Sequence, residues 1–577
     1  MKKIYLTILG IIFSLSALDL CAQGFTTSDY KKALWMTTRM YGGQRSGTNN
    51  WLVYNHLPNG VPANLTGISF ANDKEGSVDL SGGWHDCADH VKFGQTQFYS
   101  AYVLLKSFAE IPTGYGDYYA YDYAGYKNAN KWNWEANAHA PNGIPDILDE
   151  VKHATDFFIK CTPNSSNFYY QVGQGTPDHS QWVTSVKMQT NAVSAGGEPR
   201  VVYKNPQDAS MPGFCGATLA LMSRLYSKYD PAYAATCLTH ATYAYDYAKA
   251  HPGVVGSPDG GFYGANSHWE DEYVDMCAEL FFATNNTSYK TEAISFANNN
   301  NKDPNIYYSF DYNNNGELAW YNLALLGQTA FKTKFIDHIN SDFIAKVDGN
   351  GVYTGGGNWG TLRYVANAAW MAGLSAKLGN TNSNLNKYVY ANIDYIMGKN
   401  AQNQSFIVGF GAKNPLHPHH RNVYLSDANV GNTGQQSLII PAKNQQFGYM
   451  VGGVRSGAYA DQITNYQTSE GGIDYNAGLV GALAYINSVL SPVVNGLAES
   501  QSDNYSISVF PNPSSDGFNI QSTAVYNVRI HNELGHTIQE FNTSTVYSFG
   551  SNLQPGLYHA VFSGDGKIIK TINVLKQ

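Results

Sequence analysis

HVKFGQTQFYSAYVLLKSFAE, residues 90–110, carries apolar side chains at three- and four-residue steps and on more than one face. A surface helix shows one apolar stripe, whereas a helix apolar nearly all round is covered on all sides. Several such segments along the chain are apolar on more than one face, as expected for inner helices of a closed ring. The same steps recur in DYKKALWMTTRMY, ILDEVKHATDFFIKC, GATLALMSRLYSKY and AYAATCLTHATYAYDYAKA, and again in DEYVDMCAELFFAT, GELAWYNLALLGQTA, KTKFIDHINSDFIAKV, TLRYVANAAWMAGLSAKL, LNKYVYANIDYIMG and DYNAGLVGALAYINSVL. With a shorter segment at TSYKTEAISFAN these make about a dozen helices, with few strands among them. The pattern predicts an all-α barrel of paired helices over residues 24–490, with long Gly- and Asn-rich loops at one end building the site.

The flanks read differently. Residues 1–23 begin with two lysines, continue through an apolar run from Ile4 to Leu18 and end in small residues, the pattern of a signal peptide cleaved near residues 22–24. No membrane-spanning segment is then expected in the mature chain. Cys87, Cys161, Cys215, Cys237 and Cys277 remain, an odd number without CxxC spacing, so at least one thiol stays unpaired and a disulfide scaffold is not indicated. Residues 491–503 read as a linker. From 504 to 577 the period changes to two, broken by Gly, Pro, Asn and Asp, which predicts a small β-sandwich. FPNP (510–513) and LQPGLYHAVF (553–562) resemble the C-terminal sorting domain of the type IX secretion route. That resemblance implies a partner in the secretion machinery and a secreted or cell-surface location; a generic adhesive β module is the alternative.

Only 14% of residues are charged, the formal net charge is −8, and there are 43 Tyr, 26 Phe and 10 Trp. Without a basic run to neutralise phosphates, a nucleic-acid partner is excluded. Aromatic, Asn- and Gly-rich loops suit neutral ligands such as sugars, which stack on rings and bond to amides and carboxylates.

GGWHDCADHVKF, residues 82–93, places Asp86 and Asp89 three residues apart at the mouth of what reads as a helix. On one helical face such like charges stand about 5–6 Å apart and cost stability unless something uses them. The pair shares a cation, activates a water, or is a solvated face. Three further stretches bear on the choice: VGQGTPDHSQW (172–182), SFIVGFGAKNPLHPHHR (405–421) and YADQITNYQTSEGGIDYNAG (459–478). Together with QRSG (44–47) they resemble glycoside hydrolase family 9, the inverting cellulases, across residues 27–490. The resemblance implies an (α/α)6 barrel and an endo-β-1,4-glucanase acting on β-glucan, with no cofactor needed for the chemistry. Two positions depart from the family pattern: Gly472 stands where Ser, Thr or Ala is usual, and Ala88 where glycine is.

Inverting hydrolysis needs a base and an acid on opposite faces of the sugar, with carboxyls roughly 6.5–9.5 Å apart. Two neighbours in a turn cannot span a sugar, so the acid comes from elsewhere in the chain. Matching the motifs, the resemblance implies Asp89 as general base, Asp86 as a second acceptor for the attacking water, and Glu470 as general acid. A helix starting near Asp474 would lower the Glu470 pKa, whereas an acid needs it raised; burial and neighbouring carboxylates are expected to win.

His419 and Arg421 match sugar or carboxylate contacts of the family, and His179, Trp182, Tyr263, Trp359 and Tyr475 match substrate contacts, with ordinary aromatic packing as the other reading. His417, His419 and His420 lack the spacing of a zinc frame. NSHWEDE supplies Ser267, Asp271, Glu272 and the His268 carbonyl, with Asp311 more distant, as a structural calcium set like that of relatives; the alternative is acidic residues favouring a helix start. Cys87, between two carboxylates, is expected to be a poor nucleophile that packs inward. Two rivals stay open: a β-glucanase acting on mixed-linkage glucan or xyloglucan, and a non-catalytic polysaccharide-binding surface protein.

Overall fold

The computed structural model describes residues 24–46, 73–117, 142–180, 182, 183, 188, 197–259, 261–300, 310–424 and 446–490, then 507–512, 514–522, 525–532, 537–543, 546–564 and 567–576. The expected signal peptide (1–23) and linker (491–503) lie outside the described residues. Two compact units result, residues 1–490 and 491–577.

Among the described residues the first unit has twelve helices of ten residues or more: α1 Thr27–Gln44, α2 Gly94–Glu110, α3 Asp146–Cys161, α4 Ser210–Tyr226, α5 Pro231–Ala250, α6 Glu270–Thr284, α7 Thr287–Asn300, α8 Gly316–Leu325, α9 Thr329–His338, α10 Thr361–Lys377, α11 Leu385–Met397 and α12 Ile473–Leu490. Burial sorts them into two layers. In α2 every residue from Gly94 to Phe108 is buried, and in α12 every residue from Ile473 to Asn487. In α5 only a stripe is buried, Ala234, Cys237, Ala241 and Ala244 among it, at the three- and four-residue steps of a one-faced helix. Packing neighbours in the inner layer run α2, α4, α6, α8 in one direction and α2, α12, α10 in the other. Phe310 fills the closing seam, its ring 5.8 Å from Tyr99 of α2 and 5.7 Å from Trp370 of α10. Outside, α1 packs on α12, α3 on α2, α5 on α4, α7 on α6, α9 on α8 and α11 on α10. The unit is the α/α barrel expected from the sequence.

Local chemistry explains the starts and close approaches. Thr26 and Asp29 form a reciprocal capping box at α1, and Asp230 caps α5 with Pro231 at its first turn. A β-carbon at Gly478 or Gly481 of α12 would lie 2.0 Å from Asn367 Oδ1 or 2.3 Å from Trp370 Cδ1, so only glycine lets α10 and α12 come this close. The GELAWYNLALLGQTA segment is not one helix. α8 ends at Leu325, Gly327 takes φ +91°, and α9 begins two residues later, because a left-handed glycine closes a helix. After His338 the chain continues into a short π-helical turn, Ile339–Ile344.

Inner helices enter from the end of the barrel where residues 82–93 lie. That stretch is not helical: residues 82–91 form an irregular loop, and α2 begins only at Gly94. Lys92–Phe93 (β1) instead pairs with Tyr169–Val172 (β2), which pairs with Val202–Lys204 (β3), a small antiparallel sheet at the barrel mouth absent from the sequence reading.

The second unit is a pair of antiparallel sheets. One has the order β8–β5–β4 (Val546–Phe549, Phe518–Ser522, Ile507–Phe510) and the other β10–β9–β6–β7 (Lys567–Lys576, Gly556–Gly564, Asn527–Asn532, Thr537–Asn542). Phe518, Ile520, Val528, Ile530, Phe549, Ala560 and Phe562 form their shared core, alternating with outward residues as a sandwich requires.

Candidate active site

The loop carrying Asp86 and Asp89 is held from below by buried charge. Asp73 accepts from Arg200 Nε at 2.8 Å and pairs with Lys92 Nζ at 2.8 Å, and Arg45 at the end of α1 pairs with Glu150 at 2.9 Å. Gln44 Nε2 donates to the Cys87 carbonyl at 2.7 Å. Backbone bonds then join the loop to the two C-terminal motifs: Ile473 N–H donates to Asp86 O, Arg421 N–H to Ala88 O and His419 N–H to Ser469 O. A loop and two motifs more than three hundred residues further along the chain become one wall.

Asp86 and Asp89 face different partners. The hydroxyls of Thr96 and Tyr263 each donate to one Asp86 oxygen. Asp89 Oδ1 accepts the Val91 N–H at 2.8 Å, while its Oδ2 lies 3.6 Å from His179 Nε2. Burial and the Asp474 charge raise the Asp86 pKa; burial and the Asp86 and Asp178 charges raise that of Asp89, against Arg421 and the Val91 N–H. His179 Nδ1 lies 2.8 Å from the Gly175 carbonyl and so carries the ring proton; burial and Arg421 hold its pKa down to about 4. Its Nε2 lone pair therefore faces an Asp89 oxygen, acceptor against acceptor, an arrangement that a water hydrogen-bonding to both relieves.

Glu470 follows the short helix Tyr466–Ser469 and precedes α12. Its carbonyl accepts the Gly452 N–H at 2.6 Å. Burial first, then the Asp86 charge, pushes its carboxyl up to about 8; the Ala88 N–H and Arg421 oppose this. Over the helix start, burial wins. Glu470 is thus held protonated at neutral pH within reach of the Asp86 charge, while Asp89 keeps Oδ2 for a water.

Around them, Arg421 donates to Asp178, which also accepts the His90 N–H, and His419 Nδ1 lies 2.6 Å from the Ile463 carbonyl. Trp182 is buried with its ring 4.9 Å from His419. Tyr475 is also buried, beneath Gly360 and 5.1 Å from the Arg363 guanidinium, so neither ring is an open platform. Trp359 is one: it is 47% exposed, with its ring 5.1 Å from that of Tyr466, itself 44% exposed. His417 and His420 turn away, to Asp461 at 3.1 Å and Gln44 at 2.8 Å, which disperses the histidine cluster.

Three buried carboxyls in one aromatic-lined wall fit the outline of a glycosidase, and residues 30–483 match the family model described as glycosyl hydrolase family 9. The chain belongs to glycosyl hydrolase family 9. Residues 508–575 match the secretion system C-terminal sorting domain, which directs the hydrolase to the cell surface or beyond. The chain is 33% identical over 434 residues to endoglucanase A of Fibrobacter succinogenes, covering 72% of this chain and 91% of that one. Its fold matches the endoglucanase of the termite Nasutitermes takasagoensis with a TM-score of 0.64 at 28% identity, over 80% of this chain and 99% of that one. The cellulase Cel9M of C. cellulolyticum in complex with cellobiose matches with a TM-score of 0.64 at 29% identity and the same coverage. Among the described residues no helix is long and apolar enough to cross a membrane.

In this family 9 hydrolase the expected calcium set is only partly assembled. Asp271 and Glu272 are neighbours whose pKa values burial raises, and Glu272 Oε1 accepts from the Asn266 and Asn315 amides at 2.7 and 3.0 Å. Asp271 Oδ1, Glu272 Oε2 and Asn266 Oδ1 are buried without hydrogen-bond partners. Ser267 is exposed, His268 is half-buried, and Asp311 is set beside Arg363. No three His, Cys, Asp or Glu side chains converge as metal ligands among the described residues. Orphaned oxygens around a like-charged pair nevertheless fit a hard cation, with Asn266 the donor that sequence reasoning missed. Thr96, Asp178, Tyr466 and Phe262, whose ring stacks on His179 at 4.2 Å, were missed too. Tyr466 and Asp178 lie inside motifs already singled out.

Proposed function

We propose that Asp89 is the general base, Asp86 its partner in holding the attacking water, and Glu470 the general acid of an inverting hydrolysis. The enzyme is an endo-β-1,4-glucanase that cuts internal bonds of a β-glucan. Glu470 gives its proton to the glycosidic oxygen as the C1–O bond breaks. On the opposite face Asp89 takes a proton from the water whose oxygen forms the new C1–O bond, so the α anomer is the first product. Hydroxyls from Thr96 and Tyr263 fix the Asp86 carboxylate, so that the two aspartates accept the two O–H groups of the water. Each proton transfer contributes about a hundred- to ten-thousandfold in rate.

The observation that supports the assignment is the buried Glu470 carboxyl, its pKa pushed up to about 8, in the wall where Asp89 keeps Oδ2 3.6 Å from His179 Nε2. Asp89→Asn tests it. The variant should fold normally and lose hydrolysis of soluble carboxymethyl cellulose, and NMR of wild-type product should show the α anomer first. Near wild-type turnover in Asp89→Asn, or the β anomer first, would refute the roles.

Asp271, Glu272 and Asn266 are the groups that would hold a calcium ion; bound there, it would neutralise the carboxyl pair at the start of α6. The C-terminal sandwich is the part that the secretion machinery would engage.

A further inference from the structure

We propose that the end of the barrel bearing the active site carries a second sugar pocket, lined by none of the three catalytic carboxyls, which takes a two- or three-glucosyl segment of β-glucan. The proposal rests on the β-glucanase reading above. A cavity of about 610 Å³ lies between the turn at residues 348–352, the end of α11 and the segment 455–457. That volume falls within the roughly 300–1,000 Å³ of sites for small organic ligands. Segment 446–457 connects it to the catalytic wall. Gly452 N–H bonds the Glu470 carbonyl, and three residues on Arg455 lines the cavity while donating to Gly355 O, four residues before Trp359.

Its lining suits a sugar. Val352 and the Tyr395 ring, stacked on Phe406, are buried behind the cavity wall, and the exposed Asn350, Asn403 and Ser456 line the rim with side chains that no hydrogen bond within the described residues uses. Asp348 Oδ1 is taken by the N–H groups of Asn350 and Val352 at 2.8 and 2.9 Å, which leaves Oδ2 for a ligand. Opposite it, Arg455 has guanidinium N–H groups beyond the one given to Gly355. Lys399 is 3.6 Å from Asp394, so its charge is already matched. One carboxylate, one guanidinium, two free amides and a free hydroxyl select a neutral polyhydroxyl ligand over an anion or an apolar one.

Calorimetry with cellotriose on the full-length Asp89→Asn protein, which binds without turnover, tests the pocket. Two molar equivalents are expected. Ser456→Trp, which plugs the rim, should remove one equivalent and leave the other; the pair Asn350→Ala and Asn403→Ala should weaken the same equivalent at least fivefold and serves if the tryptophan variant does not fold. In the active enzyme either change should raise KM for soluble polymer with kcat preserved. A single equivalent, indifferent to these variants and lost in Trp359→Ala, overturns the second pocket and leaves the glucanase reading standing. No cellotriose binding at all overturns both.

Discussion

A β-carbon on Gly472 would lie 2.7 Å from the Cys87 sulfur and 2.8 Å from Asp474 Oδ1, so the two positions share one space. Residue 472 follows the acid by two, and Cys87 stands between the two aspartates. Where the family pattern has a larger residue at 472, this chain has a cysteine that takes the room. Gly472→Ala should therefore push the Glu470 segment away from the loop, lowering kcat about tenfold and stability by about 1–3 kcal/mol. Adding Cys87→Ala should restore most of both. Kinetics and melting of the two single variants and the double variant decide the matter; additive effects would refute the coupling.

The carboxyl environments set a pH profile. Glu470 must carry its proton to act as an acid, so kcat/KM should fall as pH rises through about 8. Asp89 must lose its proton, and because burial and the charges of Asp86 and Asp178 raise its pKa, the acid limb should sit above the range of an exposed carboxylate. Stability follows the same shift: the folded state binds a proton at Glu470 that the unfolded chain has released, so stability declines as pH rises from the ordinary glutamate value through about 8. Glu470→Gln should melt higher than wild type above pH 8 and close to it near pH 4. The same melting difference at both pH values would contradict this.

Trp359 and Tyr466 make the exposed platform beside the reacting groups. Loss of one stacking ring costs about 0.5–1.5 kcal/mol beyond the area it covers. Trp359→Ala should raise KM on soluble glucan roughly tenfold with a much smaller change in kcat, the signature of binding shared by ground and transition states. Initial rates over a range of substrate concentrations read this directly; a loss confined to kcat would place the ring in the chemistry instead.

If a cation neutralises Asp271 and Glu272, removing it leaves two buried like charges at the start of α6. A chelator should lower the melting temperature of the wild type by several degrees, and added calcium should restore it, as binding to the folded state alone requires. Glu272→Gln should abolish the response. A chelator shift that persists undiminished in that variant would locate the ion elsewhere.

The barrel was legible because burial on more than one side leaves a trace in sequence: the α12 segment is apolar on more than one face, and even 90–110, which buries Gln95, Gln97 and Lys106, keeps apolar residues at helical steps. What was not legible depended on backbone detail. Gly327 sits inside a periodic run, and only its left-handed φ divides α8 from α9. Residues 82–91 have helical spacing yet form a loop, because Lys92 and Phe93 are drawn into β1 and Asp89 turns to accept the Val91 N–H. The residues proposed to react, Asp86, Asp89 and Glu470, lie in local motifs, while Thr96 and Asn266 carry no local signature and stand out only through the partners that the fold brings to them. Trp182 and Tyr475 show the converse limit: their identity suited a sugar contact, but burial makes them supports for His419 and Arg363.

Cys87, Cys161, Cys215, Cys237 and Cys277 are all buried as free thiols. No disulfide among these five holds the barrel together, so refolding from denaturant should need no oxidant and should proceed better with a reductant that keeps the thiols exposed in the unfolded chain from pairing. For production, a host with a reducing cytosol is as suitable as one that exports the chain.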